Sequence, residues 1–147
     1  MENPFLFNEV RNRLERTKRV LPIKLANQAE QHFTEAFDKG GLDEYKWKEV
    51  KRRIPGEKAY EYPKKKGLSR RTKPILTMSG TLRRKVSRSI VSSTWSSILL
   101  QVRGLNYAKR HNEGLAGMPA RPFMKQTQVL TRMQKTLIDE EMTKIWG

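Results

Sequence analysis

Between residues 48 and 74 the chain carries eleven basic and three acidic side chains. It shows no periodic apolar face there, so the stretch suits neither an amphipathic helix nor a half-buried strand. Pro55-Gly56, Pro63, Lys64-Lys65-Lys66-Gly67, Arg70-Arg71 and Pro74 punctuate it, and Pro and Gly at that density interrupt regular structure. A connection this long inside one domain is either functional or a solvated linker. Ordering it costs roughly 1–2 kcal/mol per residue, with little apolar burial in return. The 48–74 loop is therefore expected to be mobile in the isolated chain and to order on assembly with a partner. Tyr60 and Tyr62, beside lysines, are candidate stacking platforms for bases.

The flanking segments read differently. Residues 1–39 hold seven basic and six acidic side chains, and residues 20–38 read as an amphipathic helix. Ile23, Ala26, Phe33 and Phe37 form its stripe, with Ala29 and Ala36 alongside. Gly40-Gly41 is expected to end it in a left-handed cap. A shorter helix over Phe7–Arg19, with Val10 and Leu14 on its face, is expected to precede it. Pro22 would mark the kink or restart between them.

Residues 85–103 read as a β-hairpin. Val86 and Ile90 lie on the first strand, Ser92-Ser93-Thr94 in the turn, and Ile98, Leu100 and Val102 alternate with Leu99, Gln101 and Arg103 on the second. Trp95 either caps the hairpin or packs on a helix, and a core role is expected. From Pro122 to Trp146 the chain reads as one long helix with Pro122 in its first turn. Phe123, Leu130, Met133, Leu137, Met142 and Ile145 make its stripe. Asp139-Glu140-Glu141, near the end where the helix dipole favours bases, read as a solvated face, the alternative being a basic neighbour. The expected class is α+β: N-terminal helices and a long C-terminal helix packed on a small antiparallel sheet, in a single domain over 1–147.

At 147 residues and 36% apolar, with mean hydropathy −0.78, the chain has a modest core for its length. Lys+Arg 31 against Asp+Glu 15 leaves a formal charge of +16, which points to an anionic partner: nucleic acid, an acidic protein face or an anionic surface. No apolar run approaches the roughly 18 residues of a spanning helix, so no membrane partner is expected. The Met1-Glu2-Asn3-Pro4 start lacks the basic, apolar pattern of a signal peptide. Cysteine is absent, removing thiolate catalysis and Cys-ligated metals. The expectation is an intracellular protein with no cofactor. No nucleophile elbow or phosphate-binding loop is present. Asp38, Asp43, Glu44 and Glu113 lack metal-ligand spacing. His111, four residues after Tyr107, reads as a packed contact of a helical turn rather than a base. No catalytic residue, and no enzyme, is indicated.

Three short patterns follow one another in the second half. Ile75-Leu76 leads to Ser79-Gly80 and Leu82; Tyr107-Ala108 is followed by His111 and Gly114; and Pro119-Ala120-Arg121-Pro122-Phe123-Met124 precedes the terminal segment. Each makes physical sense as a folding device. Ser79-Gly80 allows a tight turn that drops Leu82 into the core. Gly114 and Gly117 allow a chain reversal. In Arg121-Pro122-Phe123 the proline sets the start of the last helix, the phenylalanine anchors it, and the arginine reaches a carboxylate or carbonyl. Read together, "IL..SG.L", "YA..H..G" and "PARPFM", with Trp47 after the glycine-ended helix, resemble the phage virion-morphogenesis family, the Mu-type tail-completion proteins, over roughly residues 20–146.

That resemblance implies a structural protein of the virion. Its place would be the head–tail neck, as a ring of copies of itself, about six by analogy, touching neighbouring neck and tail proteins, with double-stranded DNA passing through the lumen. It implies no enzymatic activity and no cofactor. Lys64, Lys65, Lys66, Arg70 and Arg71 are then the candidate contacts to DNA or to an acidic protein face. The alternative reading is a basic, non-enzymatic DNA-binding module associated with phage DNA or packaging.

Overall fold

The structure, a computed structural model, describes residues 4–62, 71–77 and 79–147. Its first element is a single helix, α1 (Pro4–Lys39), 36 residues long, or about 54 Å at 1.5 Å per residue. The two helices expected on either side of Pro22 are one. Proline removes the N–H that would bond the Lys18 carbonyl, yet here its ring is buried and the hydrogen bonds of the turns on either side carry the helix through. Ala26, Ala29, Phe33, Ala36 and Phe37 are buried as their spacing requires. Ile23 is exposed, a correction to its place in the stripe. At 100° per residue it falls about 60° from Ala26 on the side away from Ala29 and Ala36, while Leu21 takes the buried position.

Gly40, at φ 69°, ends α1 in the left-handed region. A minimal antiparallel hairpin follows, β1 (Gly41–Leu42) on β2 (Tyr45–Lys46). In the described part of the 48–74 stretch lie a 3-10 turn at Lys51–Arg53 and a one-turn helix α2 (Lys58–Glu61), neither burying a residue. Both are short enough to form from local i→i+3 and i→i+4 bonds without an apolar face. Next comes α3 (Thr81–Val86), which claims Val86 as a fully buried helical residue instead of a strand residue. The hairpin is β3 (Ile90–Ser93) against β4 (Ile98–Leu100), antiparallel, with a bulge between Ile90 and Ser92. Ser92 and Ser93 therefore lie in the strand. The reversal is made by Thr94–Ser97, whose backbones exchange hydrogen bonds of 2.8 and 3.3 Å, and Trp95 sits exposed at its tip rather than in the core.

After α4 (Asn106–Glu113) the chain stays irregular until α5 (Gln128–Trp146). The last helix thus begins six residues later than Pro122 suggests. Thr127 caps it, its hydroxyl accepting from the Leu130 amide at 3.1 Å, and this satisfies one of the free N–H groups of the first turn. Phe123 is spent on the core instead, and Pro122 is half-buried beside it. Leu130 and Ile145 are buried along α5, with Met133, Leu137 and Met142 half-buried between them. The class is α+β, with two two-stranded sheets rather than one among the described residues. No described helix is long and apolar enough to cross a membrane.

The chain divides into two compact units. Unit 1 comprises the residues up to Gln31, Ile90–Gln101 and Gln126–Gly147; unit 2 comprises His32–Ser89 and Val102–Lys125. In unit 1 the β3 start is tied to α1 by the Ile90 amide donating to Glu30 Oε2 at 3.0 Å. The core of unit 2 is aromatic. Phe37 meets Trp47 edge-on at 5.4 Å and Phe123 at 5.6 Å between ring centroids, and the Trp47 indole donates to the Pro122 carbonyl at 2.7 Å. Burying each such side chain is worth about 1.5–3 kcal/mol, and the indole contact removes the cost of a buried donor.

Candidate assembly and basic surfaces

The three sequence patterns all fall within unit 2. Gly80, at φ 71°, starts α3, the Thr81 amide donates to Ser79 Oγ, and Leu82 is buried. On α4, Tyr107 meets His111 edge-on at 6.0 Å, one turn apart, while Ala108 is buried. Gly114, at φ 72°, closes α4, its amide bonding the Arg110 carbonyl at 2.9 Å. A Cβ there would stand 2.8 Å from the Ala120 nitrogen, so this reversal needs glycine for space as well as for dihedral.

The second and third patterns interlock. The Arg121 amide donates to the His111 carbonyl at 2.7 Å. Asn112 Oδ1 accepts from the Phe123 and Met124 amides at 2.9 and 3.1 Å, and its Nδ2 donates to the Met124 carbonyl at 3.3 Å. The buried Arg121 side chain reaches a carbonyl, donating from Nε to Lys48 at 3.0 Å. Asn112 is the residue that sequence reasoning passed over. A side chain with both donor and acceptor, two residues before a cap glycine, is the signal that would have found it.

Burial, and then the Arg121 charge, hold the His111 imidazole below its ordinary pKa, which favours the neutral ring. Burial likewise lowers Arg121, with Glu49 acting the other way. His111 Nδ1 is buried without a hydrogen-bond partner. Of the carboxylates weighed for metal binding, Asp38 is ion-paired with Arg83 at 2.9 Å and Asp43 with His32 at 2.9 Å. Among the described residues no group of three or more His, Asp or Glu is placed to hold a metal ion.

Of the candidate basic contacts, Lys64, Lys65, Lys66 and Arg70 lie outside the described residues. Arg71 is described: its guanidinium lies 4.1 Å over the Tyr60 ring and donates to the Tyr60 carbonyl. Tyr60 thus spends one face on a cation, while Tyr62 is exposed. Further charge gathers on α3 and its exit, at Arg83, Arg84, Lys85 and Arg88. In unit 1, Glu141 is buried, at 6% exposure, and accepts from Lys24 and Lys144, each at 2.7 Å. Those hydrogen bonds hold its carboxyl below the usual range against the opposing effect of burial. Of the three consecutive acids, Glu141 therefore has the basic neighbours, and Asp139 and Glu140 are exposed.

Comparison of the chain with protein-family models, curated proteins and solved structures finds no match.

Proposed function

We propose that this chain is a structural subunit of a tailed-phage virion, acting at the head–tail neck as a tail-completion component that assembles into a ring. The observation that carries this reading is the interlock in unit 2. "YA..H..G" and "PARPFM", separate in sequence, are joined through Arg121, Asn112 and the Gly114–Ala120 approach. Two motifs of a set that resembles one family hold each other, which supports reading these two as one structural signature rather than as two chance matches. The residues joined there have folding roles, as suits a protein whose work is to be a part.

A charge of +16 favours a second reading, a DNA-binding module, and a basic ring around a DNA path combines the two. The discriminating experiment is a null mutant of the phage that encodes the chain. The neck reading expects filled heads and free tails that fail to join, restored by the wild-type gene. Heads that stay empty, with tails unaffected, would instead favour the packaging-associated DNA module.

A further inference from the structure

Unit 1 contains an apolar groove of about 510 Å³, within the range of built binding pockets. Leu21 and Leu25 of α1 form one wall, Ile138 and Met142 of α5 another, and Trp95 of the β3–β4 reversal with Ile98 at the start of β4 the third. Among the described residues no charged one lines it. Trp95 is 53% exposed on this wall, and a tryptophan left half in water beside aliphatic side chains is the usual anchor of a contact surface.

The same unit carries an apolar projection. Leu6 and Phe7, in the first turns of α1, are 59% and 72% exposed. Phe7 and Leu21 lie fourteen residues apart on one unbroken helix, about 21 Å along its axis, so a protomer cannot place its own Phe7 in its own groove. The charges agree with a contact between copies. Arg11, one turn beyond Phe7, shares its face of the helix, while Asp139 follows Ile138 and stands three residues before Met142, on the groove's rim. Both are exposed.

We infer that the groove receives the Leu6-Phe7 end of α1 from a second copy of this chain. The contact is heterologous: each copy offers one projection and one groove, and repetition either closes a ring or runs on as a filament. It names the surface by which copies of the proposed neck subunit meet. It rests on that reading only for closure into a neck ring, the contact itself being a property of the isolated chain.

The test is sedimentation of the full chain and two exposed-site variants, Phe7→Asp and Trp95→Glu, with circular dichroism and thermal melts to confirm that each folds. Wild type is expected to associate with rising concentration, and each variant alone to be monomeric or weakened at least tenfold. An equimolar mixture should form a heterodimer and nothing larger, since one competent projection and one competent groove remain. If Trp95→Glu alters the melt, Ile138→Lys serves as the groove variant. Wild type monomeric throughout, Phe7→Asp assembling like wild type, or a mixture that stays monomeric would each overturn the proposal. The neck reading fails separately: a heterodimer that forms as expected, from a chain whose loss leaves head–tail joining intact, rejects the neck and keeps the contact.

Discussion

Asn112 carries more of unit 2 than its sequence position suggests. Its amide closes three hydrogen bonds to the backbone of Phe123 and Met124, and that backbone carries the ring packed on Phe37. Asn112→Ala leaves two part-buried amides without an acceptor, and each such group costs about 1–3 kcal/mol. Denaturant unfolding should show a loss of about 2–6 kcal/mol, and Asn112→Asp, which keeps the acceptor, should lose less than half of that. Equal losses would mean that the oxygen is not the working atom. Glu141 gives a prediction in pH. Its folded-state pKa is lowered by Lys144 and Lys24, so its contribution is complete above the ordinary glutamate value of about 4.3. That contribution is lost as pH falls through the lower folded value. The stability difference between wild type and Glu141→Gln should therefore shrink on acidification below about pH 4.3. A difference unchanged across that range would contradict the pairing of the Glu141 carboxylate with Lys24 and Lys144.

At the scale of elements, the legible features were those with a local physical signature. Gly40, Gly80 and Gly114 each take the positive φ that their positions in the sequence suggested, and the alternation of Ile98 and Leu100 against Leu99 appears as alternating exposure in β4. The misreadings have physical causes. A proline inside a helix costs about 3 kcal/mol against alanine, which argues for a break at Pro22, but that rule omits what burying the ring returns. Pro122 fits a first helical turn, yet Thr127 offers a cap hydroxyl directly before the apolar run, and the cap decides where α5 starts. Strands of two residues, as in β1 and β2, are too short for alternation to reveal. The groove was invisible because its walls come from three distant segments. Along α5, Leu130→Ala should cost about 2–5 kcal/mol, because the site is fully buried. Leu137→Ala, at a half-buried position, should cost clearly less. Thermal unfolding of the two variants checks the order, and its reversal would contradict the orientation of α5.

At the scale of the whole molecule, +16 on 147 residues requires anionic company for dense assembly, in DNA or in neighbouring proteins. The two are separable at Lys64, Lys65 and Lys66. If they face DNA, charge reversal there should abolish binding to a duplex and flatten its salt dependence, whose slope is about −0.9 per phosphate contacted. If they face protein, reversal should leave DNA binding intact and block joining to neck partners. The protein-facing outcome is expected, since many lysines gripping DNA would slow its passage through a neck. The central claim, that the chain is a virion part, is tested most directly by quantitative mass spectrometry of purified particles. The account predicts the chain at a few copies per particle, about six by analogy with ring-forming neck proteins, remaining bound after washing in high salt. Its absence from washed particles, with the protein abundant in the infected cell, would contradict the account.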